Sequence, residues 1–243
     1  MNETTRPAFY ALAPGSWRDY VTLLHPPYTL WHLSYVAIGA ALAPDFRPWI
    51  LGFGLLAFFL AMGVGAHALD ELHGRPLQTR IGRTTLVALA VVSLSGATAI
   101  GIAAAFRTSL WLLAFVAVGT LLAVAYNLEL FGGRLHGDPW FSLMWGAFPV
   151  LATYFAAAET IRLEAVLAAT FAALLSHAQR RLSTPVRLLR RRAVAVSGRI
   201  ELADGSALPI TRETFTEDTE GAMRALCGAV VALALALVIL RVT

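Results

Sequence analysis

The sequence predicts an all-α integral membrane bundle of about seven transmembrane helices, with a small cytosolic β-hairpin inserted before the last of them. Three observations carry this. Of 243 residues, 58% are hydrophobic and 14% charged, with a mean hydropathy of +0.66, whereas a soluble domain carries about 25% charged residues. Apolar runs close to the length of about 20 residues that spans a bilayer recur along the chain. The arginines fall mainly on one side of the resulting topology.

In chain order the runs are residues 29–43, 49–69, 85–105, 110–126, 140–158, 163–175 and 222–240. The first and sixth are short and borrow from their flanks, from Leu23 onward and from Ser176 onward. With the amino terminus inside, fifteen of the 19 basic residues lie in inner segments, and only Arg47, Arg107, Arg162 and Arg241 lie in outer turns. That bias places the amino terminus in the cytoplasm of the cell (inner) membrane and the carboxyl terminus outside. Residues 1–22 read as a cytosolic segment without a cleavable signal peptide. Residues 23–192 hold helices one to six, 193–221 a cytosolic loop and 222–243 the terminal span. All the basic residues are arginines, and Cys227 is a lone cysteine in an apolar run, so no disulfide framework is expected.

In the loop, apolar and polar residues alternate on both sides of Asp204-Gly205, a two-residue hairpin signal. The acidic stretch from Glu213 to Glu220 either lies against the arginine cluster Arg187 to Arg192 or is a solvated connector. That cluster directly follows a membrane helix, so topology and anionic headgroups account for it, and nothing points to nucleic acid.

Two polar islands stand out. The second helix ends in "HALDELHGRP", where offsets of three and four put His67, Asp70 and Glu71 on one face, with His73 and Arg75 just beyond. The sixth ends in "SHAQRRLSTP", and His177, Arg180 and Arg181 match His67, Asp70 and Glu71 position by position, the match extending loosely to Pro76 and Pro185. Folds built from repeated halves bring equivalent helix ends together around a site. The acidic pair would then confront the basic pair, either to line a pocket or merely to close the bundle.

Polar motifs ending helices two and six resemble those of the UbiA superfamily of intramembrane prenyltransferases. "LHPPYTLWHLSYVAIGAALA" is similar to that family's first helix, and "AYNLELFGGRLHGDPWFSLMWGAFPVLATYF" to its helix-four exit and fifth helix, especially in the menaquinone branch. The likeness covers about residues 23–192. Asp70 and Arg75-Pro76 keep the first motif, with His67 near its Asn position. The second motif is aspartate-rich in the family and has no acid here; Arg180 and Arg181 stand in its place. The chain also has seven expected helices where the family usually has nine.

The resemblance implies transfer of a prenyl group from a polyprenyl diphosphate to a lipophilic or aromatic acceptor, with Mg2+ held by Asp70 and Glu71 as the catalytic carboxylates. Arg75, Arg180 and Arg181 would bind the diphosphate through guanidinium forks. His32, His67, His73, Tyr126, Asn127 and His177 would line the pocket, and Gly63, Gly65, Gly146 and Pro149 would let its helices bend. Two other classes compete. One is a non-catalytic isoprenoid- or lipid-binding protein on the same scaffold, favoured by the missing second acidic motif. The other is a metal enzyme using His32, His67, His73 and His177 with Asp70, Glu71 and Glu129. His136 and Asp138, in the turn before helix five, fit all three.

Overall fold

A computed structural model describes residues 6–243 and contains eight helices and one two-stranded sheet among them. A short α1 (Trp17–Leu23) precedes α2 (Pro26–Leu42), α3 (Pro48–Leu72), α4 (Arg83–Ala105), α5 (Leu112–Asn127), α6 (Asp138–Ala158) and α7 (Leu163–Arg191). Strands β1 (Gly198–Glu201) and β2 (Ala207–Ile210) follow, and α8 (Arg212–Val242) ends the chain. Each of the seven expected apolar segments is therefore a helix. Four of them, α3, α4, α6 and α8, are long and apolar enough to cross a membrane. α5 is apolar but shorter, at 16 residues. α2 has 17 residues, about 25 Å of helix, and α7 has an arginine-rich second half.

Helix α2 is the hub, packed by α3, α6, α7 and α8. Its Trp31, Tyr35 and Ile38 meet Val150 of α6, Ala172 of α7 and Val230 of α8 in the main core. Small residues set the approach. A Cβ on Gly146 would come within 2.5 Å of the Ala172 carbonyl oxygen, so α6 and α7 touch through backbone. By contrast α4 and the apolar part of α8 bury little of themselves and turn Val91, Val92, Leu235 and Leu240 outward.

Two of the long helices are not regular. Residues Phe59–Ala66 of α3 and Ser142–Ala147 of α6 form π-helical turns. Such turns are rare and shift the register of the side chains that follow. Gly63, Gly65 and Gly146, where bending was expected, all lie inside them.

The hairpin forms where Asp204-Gly205 predicted it, but its loop is longer than two residues. Leu202 N–H donates to Ser206 and Gly205 N–H to Leu202, and Gly205 has φ +84°. This is a type I turn closed by a left-handed glycine, the three-residue hairpin solution. The terminal helix starts at Arg212, about ten residues earlier than the apolar run suggested, and absorbs the acidic stretch. Glu213, Glu217 and Asp218 are exposed, whereas Glu220 is buried and makes two hydrogen bonds with Arg190, at 2.5 and 2.8 Å.

Candidate functional site

The ends of α2, α3, α5, α6 and α7 that carry the polar islands surround one chamber of about 370 Å³. That is the size of a small-ligand pocket. One wall is α7, which contributes Gln179, Arg180, Ser183, Arg187 and Arg191. Facing it are His25, His32, His67, Asp70 and Asn127, and the roof is the segment Pro7 to Tyr10.

Arg180 is fixed by three partners. It bonds Asp138 at 2.6 Å, the Tyr126 hydroxyl and the His136 carbonyl at 3.1 Å, and its guanidinium lies over the Phe141 ring at 5.1 Å. Its carboxylate partner is thus Asp138 and not an acid of α3. Arg181 turns away: its side chain is 72% exposed. Arg187 and Arg191 enter the chamber instead. Among the described residues Arg187 bonds only its own helix, through Thr184, and Arg191 donates to the Pro7 carbonyl at 3.3 Å.

The acidic pair of α3 is split in the same way. Asp70 faces the chamber, and no hydrogen bond or ion pair among the described residues engages its carboxylate. Glu71 points out of the chamber and is fully buried under the loop that follows. It accepts from Leu77 N–H at 3.0 Å and from the Thr79 N–H and hydroxyl, both at 2.8 Å. Arg75 belongs to the same loop, donating to the Thr79 and Ile81 carbonyls at 3.2 and 2.7 Å. Both side chains shape the loop, which corrects the expectation that they face a ligand.

The expected magnesium pair does not fit this geometry. Glu71 gives three of its roughly four lone-pair sites to the loop and lies outside the chamber, so it cannot share a cation there with Asp70. Asp70 is left, with Glu129 at the rim, and no group of three histidine, cysteine or acidic side chains suited to a metal exists among the described residues. The histidine-metal arrangement fails similarly, since His73 and His177 are exposed and outside the chamber.

The remaining histidines share a device. His32, His67 and His136 each place Nδ1 against a backbone carbonyl, of Tyr28 at 2.6 Å, Gly63 at 3.1 Å and Tyr126 at 2.9 Å. A carbonyl only accepts, so Nδ1 carries the hydrogen and Nε2 is left as an acceptor. For His32 that Nε2 is buried without a hydrogen-bond partner among the described residues. His25 stacks on His67 at 4.0 Å and bonds the Tyr10 hydroxyl at 2.8 Å. Burial first, and then the neighbouring His67, hold His25 well below the usual histidine range. Burial likewise pushes the Tyr10 phenol well above its ordinary value, so it stays neutral.

Behind the chamber lies an apolar groove of about 150 Å³ between α3, α4, α5 and α6. Met62 and Trp145 line both spaces, and each comes from a π-helical turn. At this neck Tyr126, Phe141 and Trp145 converge, the Phe141 and Trp145 ring centroids lying 6.2 and 5.8 Å from that of Tyr126. From Met62 to Trp49 the groove follows fourteen residues of α3, about 20 Å.

Compared with known proteins, the chain matches no protein-family model, no curated protein and no solved structure.

Of the residues named from sequence, the chamber therefore gathers His32, His67, Asp70, Tyr126, Asn127, Glu129, His136 and Arg180. Glu71, Arg75, His73, His177 and Arg181 lie elsewhere. Tyr10, His25, Arg187 and Arg191 line the chamber as well, although their sequence positions did not mark them for it. The arginines carried a signal: positions 180, 187 and 191 repeat at seven and four, one face of a helix. The unbroken run Arg190 to Arg192 hid it.

Proposed function

We propose that the protein is a multi-pass membrane protein that binds an amphiphile, its anionic phosphate-type head in the polar chamber and an isoprenoid tail in the groove, and transfers the prenyl group. The observation that carries this is the neck: one arginine-rich space and one apolar space meet at Met62 and Trp145. An amphiphile needs both spaces, in contact and in that order. Helices whose outward faces are apolar support the membrane setting, because water would not tolerate so much exposed hydrocarbon. UbiA-like prenyl transfer is the reaction class the sequence resembles, and the aromatic neck suits it.

In such a reaction the allylic C–O bond breaks and its electron pair leaves with the diphosphate. Arg180, Arg187 and Arg191 would neutralise that charge. The carbon left behind is cationic, and the faces of Tyr126, Phe141 and Trp145 offer it the negative side of an aromatic quadrupole. An acceptor then forms the new bond to that carbon and gives up a proton, for which the Nε2 of His32, whose ring lies 6.1 and 6.4 Å from those of Phe141 and Trp145, is a suitable base.

The missing paired carboxylates favour a second reading, a binding protein on the same scaffold without turnover. One experiment separates the two and tests both. Purified protein in detergent is incubated with radiolabelled farnesyl diphosphate and a total lipid extract, and binding, diphosphate release and lipid products are followed. The Ala97→Trp variant, which fills the groove, should lose binding. Diphosphate release with a prenylated product supports transfer, and binding without release supports the carrier. No binding to wild type, or undiminished binding to Ala97→Trp, would sink the amphiphile reading.

A further inference from the structure

We propose that the anionic head is held by a metal-independent guanidinium site on one face of α7, formed by Arg187 and Arg191 with Arg180 beside them. This deepens the amphiphile reading and rests on it. Arg187 and Arg191 are one turn apart, with Cβ atoms about 6 Å from each other. That spacing lets two forks grip the same diphosphate. Arg180 is two turns back, at the neck, where the ester oxygen would lie.

Of the three charges, Arg180 is matched by Asp138 at 2.6 Å, and the other two are poorly matched by the protein itself. Arg187 has no carboxylate partner among the described residues, and the charges nearest in effect on it are those of Arg191 and Arg180, which repel it. Of the chamber's acids, Glu220 is taken up by Arg190, while Asp70 lies across the space on α3 and Glu129 at the rim. A partly buried pair of like charges, Arg187 and Arg191, is costly unless an anion comes between them. Arg191 is also only loosely committed. Its 3.3 Å bond to the Pro7 carbonyl is long, and a phosphate oxygen is a stronger acceptor. The head would take Arg191 from the amino-terminal segment that roofs the chamber.

On the opposite side, the acid that would share a cation with Asp70 is committed to the loop through three hydrogen bonds. The site therefore neutralises a diphosphate with fixed cations of its own, where a pair of carboxylates would have to recruit metal.

The test is calorimetric binding of farnesyl diphosphate, inorganic pyrophosphate and farnesol to the full chain in detergent, with EDTA or with magnesium chloride. Arg187→Gln, Arg191→Gln and their double variant are compared with Arg181→Gln, whose side chain points outward. Farnesyl diphosphate should bind with EDTA about as tightly as with magnesium. Each chamber variant should lose about tenfold and the double about 100-fold, since each removes one charge-assisted contact. Arg181→Gln should bind like wild type, and unchanged melting temperatures would show that the losses are local. Competition by phosphatidylglycerol micelles would support the same site with a phosphodiester lipid head; no competition supports the diphosphate. Affinity that needs magnesium and ignores the double variant would overturn the guanidinium site. Farnesol binding alone would also overturn it while leaving the groove intact, and failure of all three probes would instead remove the amphiphile reading beneath it.

Discussion

Replacing Glu71 separates its two possible roles, ligand-facing acid and loop anchor. Its carboxylate accepts three hydrogen bonds from buried donors at 2.8 to 3.0 Å. In Glu71→Ala all three donors lose their acceptor. Each buried orphan costs about 1–3 kcal/mol, so the variant should lose about 3–6 kcal/mol once the loop relaxes partly toward water. Glu71→Gln is milder. Its amide oxygen can still accept from the Thr79 N–H and hydroxyl, while its NH2 is turned against Leu77 N–H, for a cost of about 1.5–3 kcal/mol. At about 2–4 °C per kcal/mol for a chain of this size, Glu71→Gln should melt about 3–12 °C lower and Glu71→Ala lower still. The assay is thermal unfolding in detergent, followed by size-exclusion retention and circular dichroism, beside farnesyl diphosphate binding below the melting point. Glu71→Gln should bind like wild type. A stable Glu71→Ala that has lost binding would refute the loop-anchor argument and return Glu71 to the ligand.

Other outcomes follow from particular contacts. Gly146→Ala should be destabilised by about 1–3 kcal/mol, because its Cβ would meet the backbone of α7, which cannot rotate aside; melting of that variant beside Gly228→Ala, where nothing crowds the Cβ, checks it. Arg190→Gln should cost about 3 kcal/mol by leaving the buried Glu220 carboxylate short of its partner, and the double variant Arg190→Met, Glu220→Met should recover most of it. His25 binds its proton less readily in the fold than in the unfolded chain, where its value is near 6.5. Its contribution is complete above that value and fades as pH falls below it, by at most about 1.4 kcal/mol per pH unit. Melting temperature should therefore drop between pH 6.5 and 5, and His25→Gln should flatten that slope; an unchanged slope would show that another group sets it.

Composition and run length were enough to expect a helical bundle with a hairpin between its last two long helices. The reason is local. Apolar runs and turn chemistry such as Asp204-Gly205 act over a few neighbours, and their signals survive whatever packs around them. The sequence also pointed to the two polar islands, and Asp70, His67 and Arg180 do share one chamber.

What tertiary structure decided is which side chain of each island turns inward. Adjacent positions on a helix differ by about 100°, so Asp70 and Glu71, or Arg180 and Arg181, could not be separated by spacing alone. The choice depends on what each meets. The returning loop offers three donors to Glu71, and Asp138 from α6 draws Arg180 in while Arg181 stays outside. The π-helical turns rotate Met62 and Trp145 to the neck, and no local pattern announces them. Burial asks each polar group for partners, and those partners come from segments distant in the chain, so the chemistry of the chamber was settled only when the helices packed.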